Sequence, residues 1–427
     1  MTKATVAALV AAISMCTVAQ GAEADRELAE LRAQLRAVME RLEQVEAQNA
    51  ALAKQQSETR PVESAKSKGA DWTSRVTLQG DLRYRYEAIS DETLNSAGVQ
   101  STADRYRDRI RARLNAEVKA TDTLKLGIGL ATTEGGDPRS SNQTLTGVFS
   151  RKSLDLDLAY FDWAFASWGN LLGGKMKQPF FKPGQSLFWD GDINPEGLAV
   201  TFARGKLFGS AYGYWLNEVS GPETAVTADT MLYGAQLGLR APLGDSTLTL
   251  AAHYYDLSGG QGRAPFYNNN ANGNSTVAMP GGGGTLTVLA NDYRVLDLGA
   301  ELRTRIGELP LTLWADFAQN LDVDELDSAW AAGAVLGKAG DRRTWELGLF
   351  YQAIEKDALF AQLIDSDFAG GVSDGQGFVV RAGYAPVKNW VLSATYFTTE
   401  RNVDVANAVG QTQVDYDRLQ LDFNVKF

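Results

Sequence analysis

From Arg75 to Ala88 the chain alternates in character. Val76, Leu78, Gly80, Leu82, Tyr84, Tyr86 and Ala88 fall on one side, and Arg75, Thr77, Gln79, Asp81, Arg83, Arg85 and Glu87 on the other. Successive strand side chains point to opposite faces, so this period of two predicts a strand with one apolar and one charged face. Residues 107–119 repeat it, with Ile110, Ala112, Leu114, Ala116 and Val118 against Arg109, Arg111, Arg113, Asn115 and Glu117. Followed onward, the pattern predicts sixteen strands. They lie near 75–88, 106–119, 124–133, 154–165, 170–176, 197–204, 207–217, 230–240, 246–256, 293–306, 311–319, 328–337, 344–354, 377–385, 390–399 and 416–427.

Connection lengths decide what kind of sheet this is. Short links such as 120–123, 205–206 and 386–389 alternate strictly with long ones such as 89–105, 177–196, 257–292 and 355–376. Short turns at one end and long loops at the other are the signature of an even-stranded antiparallel outer-membrane β-barrel. A soluble β-sandwich also alternates but has no reason to alternate loop length. Its core would also have to bury the arginine-rich face, at a cost that an aqueous lumen removes. Aromatic residues gather at two levels: Trp168 and Trp390 beside short turns, and Tyr86, Tyr254, Tyr351, Tyr396 and Phe397 near long loops. Two such levels fit interfacial girdles. The final residues carry apolar side chains at 419, 421, 423, 425 and 427 and end on Phe427, as a closing, lipid-facing strand does.

The first 71 residues follow other rules. Lys3 precedes an uncharged run over 5–19 and small residues at Ala19, Gly21, Ala22 and Ala24, which predicts a signal peptide over 1–22. The run is too short for a spanning helix, which needs roughly 20 apolar residues. Residues 25–58 hold a heptad, with Leu28, Leu35, Leu42 and Asn49 at a, and Leu31, Val38, Val45 and Leu52 at d. Glu27 with Arg32 and Arg41 with Glu46 form attractive flanking pairs. The pattern predicts a self-associating coiled coil, with an amphipathic helix lying on the chain as the alternative. Pro61 ends it, and 59–71 is a polar linker to the barrel over 72–427.

Composition narrows the chemistry. Lys and Arg number 41 against 52 Asp and Glu, a formal net charge of −11, which argues against nucleic acid. Residues 1–70 are neutral overall, so the excess lies in the barrel, much of it in outer loops, and cannot be read as ion selectivity. Cys16 lies in the predicted signal, and His253 is the one histidine. That excludes disulfides, thiolate metal sites and chemistry needing two histidines. No G-x-S-x-G accompanies His253, so no catalytic residue is expected. Asp190-Gly191-Asp192-Ile193-Asn194 starts like a calcium loop. Pro195 stands where its glycine belongs and Thr201 where its bidentate glutamate belongs, so no metal and no cofactor are expected.

Three segments, GDLRYRYE (Gly80–Glu87), RYRDRIRARLNAEVKATDTLKLGIGLAT (Arg105–Thr132) and GGKMKQPFFKPGQSLFWDGDINPEGLAV (Gly173–Val200), carry a resemblance. They resemble the Gram-negative "putative porin" family: sixteen-stranded outer-membrane porins distantly similar to phosphate-selective porins. The resemblance spans most of 72–427, without the loops at 257–292 and 355–376. It implies homotrimers embedded in outer-membrane lipid, passive diffusion of ions and small hydrophilic solutes, and no particular substrate. It also implies that the third long loop folds into the barrel. Here that loop, 177–196, carries Phe180, Phe181, Phe188 and Trp189, which water would penalise, with Asp190, Asp192 and Glu196. Facing it on adjacent strands are Arg83, Arg85, Arg109, Arg111 and Arg113, and the two sets together would make a charged constriction. The plainer alternative pairs these arginines with Asp81, Glu87, Asp108 and Glu117 along a wide lumen. The functional alternative to a channel is a plugged barrel tethered to periplasmic partners by the coiled coil.

Overall fold

Each alternating segment becomes a strand because a two-sided pattern can bury its polar face in a lumen and give its apolar face to lipid. The computed structural model describes residue 40 and residues 72–427, apart from 101–103, 221–227, 258 and 282–283. The predicted signal peptide, coiled coil and linker therefore lie outside the described residues. The barrel strands are β1 Val76–Asp91, β2 Arg105–Lys119, β3 Leu124–Thr133, β4 Ser153–Ala166, β5 Gly169–Lys175, β6 Glu196–Arg204, β7 Leu207–Asn217 and β8 Thr230–Leu243. They continue as β9 Ser246–Leu257, β10 Tyr293–Ile306, β11 Leu309–Asn320, β12 Ser328–Gly337, β13 Thr344–Ile354, β14 Gly375–Val387, β15 Trp390–Arg401 and β16 Val414–Lys426. All sixteen match predicted segments. The long loops hold a two-residue strand, Gln143–Thr144, and a hairpin of Thr276–Gly281 with Gly284–Leu289.

Every strand pairs antiparallel with its neighbour in sequence, and β1 pairs with β16 to close the ring. Closure runs from Asp81 opposite Lys426 to Asp91 opposite Tyr416, and Gly80 and Phe427 exchange two backbone hydrogen bonds of 3.0 Å. Leu78, Leu82, Trp168, Leu237, Trp390 and Leu421 are exposed on the outer surface, as a lipid-facing band requires. Phe397 departs from the expected outer girdle. It is 1% exposed and faces inward, while Tyr396 points out. Alternation decides between such neighbours, and an aromatic count at strand ends does not.

An apolar core sits inside the ring. It joins Phe188, Trp189 and Ile193 of the third long loop (176–195) to Leu359, Phe360, Ile364 and Phe368 of the seventh (355–374), and to wall residues such as Tyr255, Val295 and Phe350. Each large side chain so buried contributes about 1.5–3 kcal/mol relative to exposure. Both loops are thereby held within the lumen.

Candidate functional site: a charged constriction in the lumen

The arginine wall follows from register. Arg83 stands opposite Arg111 and Arg85 opposite Arg109, flanked by Asp81 opposite Arg113 and Glu87 opposite Arg107. Like charges directly across a strand pair repel, so this wall needs acids on both sides. Asp81 binds Arg111 at 2.8 Å and Arg113 at 2.7 Å. On β16, Asp422 takes Arg85 at 2.7 Å, and Asn424 accepts from Arg83 at 3.0 Å. Glu87 pairs with Arg107, and with Arg109 at 3.8 Å. Asp81 and Glu87 thus behave as the plainer alternative expected. Asp108 and Glu117 do not: Asp108 accepts from Tyr84 at 2.9 Å, and Glu117 meets Lys125 at 3.5 Å.

The third loop reaches this wall through one acid. Asp192 lies 3.4 Å from Arg113 and 3.8 Å from Arg111, and accepts from the backbone N–H and hydroxyl of Ser141 at 3.1 and 2.9 Å. Burial pushes its carboxyl up, but Arg111 and Arg113 outweigh that and hold it below the usual range. Asp190 does not face the arginines. Its carboxylate turns into the seam with the seventh loop and accepts from the N–H groups of Asp192 (2.7 Å) and Ser366 (3.0 Å). Burial, then Asp365 and Asp192, push it well above the usual range. Glu196 is absent from the constriction. It opens β6, is exposed, and pairs with Lys175 at 2.9 Å. Arg109 sits away from Asp192, bonded to the Asn142 carbonyl at 3.3 Å and 3.6 Å from Glu134. Of the eight predicted site residues, then, Arg111, Arg113 and Asp192 meet directly, Arg83 and Arg85 meet at Asp422, Asp190 borders the same cavity without pairing with an arginine, and Arg109 and Glu196 serve elsewhere.

The opposite wall clamps the loop with side chains. Gln236 of β8 both accepts from and donates to the Phe181 backbone at 2.8 Å. Glu301 of β10 accepts the Gly184 N–H at 2.9 Å, and Gln352 of β13 the Leu187 N–H at 3.1 Å. Phe180 stacks on His253 at 4.5 Å, and the Tyr212 hydroxyl lies 2.7 Å from His253 Nε2, so the histidine is a packing residue of the lumen wall. Gly184 has φ +50, with the Trp314 ring where a Cβ would stand, so only glycine fits.

The residues most plainly missed belong to the seventh loop. Asp190 N–H donates to the Leu363 carbonyl at 2.8 Å and Asp365 N–H to the Leu187 carbonyl at 3.1 Å, joining the two loops edge to edge. Asp367 pairs with Arg85 at 3.2 Å and with Arg418. Arg139 of the second long loop donates to the Ala361 and Gly371 carbonyls. The run Ala358-Leu359-Phe360-Ala361, followed by Leu363-Ile364, is as apolar as the run that predicted inward folding of the third loop, and carried the same signal. Arg418 and Asp422 are inward by the alternation already read for the last strand.

Between wall and loops lies a cavity of about 530 Å³, bordered by Arg83, Arg111, Asp192, Asp367 and Arg381. A second cavity of about 560 Å³ shares Arg113, Gly191 and Lys426 with it and extends past Gln79 and Lys177.

Comparison with known proteins agrees with this architecture. Pseudomonas putida OprB, in its high-pH structure, shares 13% identity over 83% of this chain and 95% of that one, with a TM-score of 0.52. A triple mutant of Rhodopseudomonas blastica porin shares 11% over 82% and 100%, at 0.45, and Salmonella typhi OmpF in complex with daunomycin 12% over 82% and 97%, at 0.47. No protein of curated function matches. The family described as "Putative porin" matches residues 89–280 and 268–427. The chain therefore belongs to the putative porin family, and its barrel is an outer-membrane barrel.

Proposed function

We propose that the barrel is a water-filled channel through which ions and small hydrophilic solutes diffuse passively across the outer membrane, with neither catalysis nor a cofactor. The observation that carries this is the pair of adjoining polar cavities between the arginine wall and the third loop. A charged, hydrated passage of that kind selects by field and size. The working unit is a homotrimer in outer-membrane lipid, with 25–58 as a periplasmic coiled coil supporting assembly. Conductance of the purified full chain in a planar bilayer tests the channel: stable open steps are expected, and correctly folded protein that passes no current refutes it. Deleting 25–58 should weaken the oligomer and leave a folded barrel; an unchanged oligomer would refute that role. One observation favours the second reading, a plugged structural barrel. The fifth loop caps the seventh, with Asn274 donating to the Lys356 and Leu359 carbonyls at 2.9 Å and accepting from Ala361 N–H at 2.8 Å. That reading predicts silence in the same bilayer.

A further inference from the structure

The arginines of β1 and β2 are poor candidates for gripping a solute, because each is already committed. Arg111 and Arg113 share Asp81, Arg85 has Asp422 and Asp367, Arg83 has Asn424, and Arg109 has Asn142. Arg381 of β14 is different. It borders the same cavity, yet among the described residues it forms no ion pair and no hydrogen bond, and its Nε is buried without a partner. It stands over the Phe350 ring at 5.8 Å, which braces the planar group. Asp365, Asp367 and Glu346 act on it from farther off. Asp367 is engaged by Arg85 and Arg418, and Asp365 Oδ1 accepts the N–H groups of Asp367 and Phe368.

A second unsatisfied group lies beside it. Gln185, on the third loop, borders the cavity, and its Oε1 is buried without a partner. Gly348, paired with Arg381 across the strands, makes room for it: a Cβ there would meet Gln185 Oε1 at 3.0 Å and Arg381 Cβ at 3.6 Å. Ser393 and Thr395 border the same space. A buried polar group lacking a partner is costly, so such groups mark places where a ligand completes the bonding.

We propose that Arg381 and Gln185 form a solute-binding subsite for a small hydroxylated carboxylate, the carboxylate lying on the Arg381 fork and the hydroxyls on Gln185, Ser393 and Thr395. A guanidinium presents paired donors that match a carboxylate bidentately. A cavity of about 530 Å³ is of the size that holds a small solute. The inference rests on the channel reading for its biological sense, but the site binds whether or not current flows.

The test is equilibrium binding of gluconate, and of its uncharged counterpart glucitol, to the full-length protein in detergent. The wild type should bind gluconate more tightly than glucitol. R381Q should weaken gluconate roughly tenfold or more, the scale of a lost charged hydrogen bond, and leave glucitol unchanged. R381K, keeping charge without the fork, should fall between, and R305Q, an exposed arginine paired with Glu308 outside the cavity, should leave binding at the wild-type level. If R381Q does not fold, R381K and Q185A carry the comparison. Gluconate binding unaffected by these substitutions, or glucitol bound as tightly as gluconate, overturns the subsite. Conductance separates the two ideas. A silent bilayer with Arg381-dependent gluconate binding removes the channel and keeps the subsite; current with Arg381-independent binding does the reverse.

Discussion

Replacing Arg111 and Arg113 by serine tests the constriction most directly. Both bind Asp81, and both face Asp192. The double substitution removes two positive charges and leaves those carboxylates uncompensated beside the passage. For an ion passing about 8 Å away, one charge is worth ~2 kcal/mol at an effective dielectric near 20 and ~0.5 kcal/mol in bulk water. A Debye length of about 8 Å reduces either by roughly a factor of e, to about 0.2–0.8 kcal/mol. Losing two charges therefore raises the local concentration of a permeating cation about 2- to 15-fold and lowers that of an anion by the same factor. The assay is reversal potential in a tenfold salt gradient. The R111S/R113S protein should shift toward cation selectivity, and adding D81N should return about half of the shift. D192N alone should move it toward anions. If neither substitution moves the potential, the arginines are structural wall residues and ions pass elsewhere.

Three further outcomes follow from the same geometry. Phe427→Asp places a charge on the lipid-facing row of the closing strand, where the burial penalty is only ~0–1 kcal/mol near an interface, so a loss of assembled barrel reflects lost recognition of the C-terminus. Normal outer-membrane amounts of the mutant, measured in isolated membranes, would contradict this. Gly184→Ala combines a left-handed backbone cost of about 1–2 kcal/mol with displacement of Trp314, and should speed hydrogen exchange over 180–190; unchanged protection would show that the loop adapts. The third prediction concerns pH. Burial first, then neighbouring acids, raise Asp190 and Asp365. The folded seam then takes up protons before the free groups do, so its stability rises as pH falls through the raised values and levels off below about 3.9. Asp192 and Asp367 are lowered, so their support is present above about 3.9 and is lost only below it. Exchange protection over 186–193 and 360–368, corrected for intrinsic rate, should therefore be greater at pH 5 than at pH 7.5; weaker protection at pH 5 would refute the assignment.

Alternation made the barrel legible. A strand in this setting has two solvents, lipid and lumen, and its sequence must declare both, so all sixteen strands and the inward row of arginines could be read directly. The partners of those arginines were only half legible. Asp81 and Glu87 lie on the same face as the arginines, so register supplies them. Asp422 required knowing that β16 closes on β1, and Asp367 comes from a loop whose position depends on an apolar run rather than on period. The error at Glu196 has a simple origin. A strand boundary moved by one residue turns a loop acid into a wall acid, and an exposed pair with Lys175 costs nothing to form. Asp190 borders the cavity, but a carboxylate in a loop reads as an ion-pair partner, whereas here it serves backbone N–H groups at a loop-to-loop seam. Nothing in the periodicity marks Arg381 apart from the other inward arginines; that it pairs with no acid among the described residues is visible only in three dimensions.

The placement of Asp367 has a consequence for assembly. It grips Arg85 on the first barrel strand and Arg418 on the last, so one carboxylate spans the junction where the ring is sewn shut. Arg85 and Asp422 cross the same junction. Arg85 lies 337 positions from Asp422 and 282 from Asp367, and contacts of such separation form late, after the entropy of closing the intervening chain has been met. The seventh loop therefore gains its full anchorage only once the ring is complete. Until then its apolar residues have no finished lumen to enter, and a barrel stalled with its first and last strands apart would display them to the surroundings. The final inward docking of the loop and the final lateral closure are in effect one cooperative event, and a protease that cleaves within 355–374 should distinguish closed barrels from those still open at that junction.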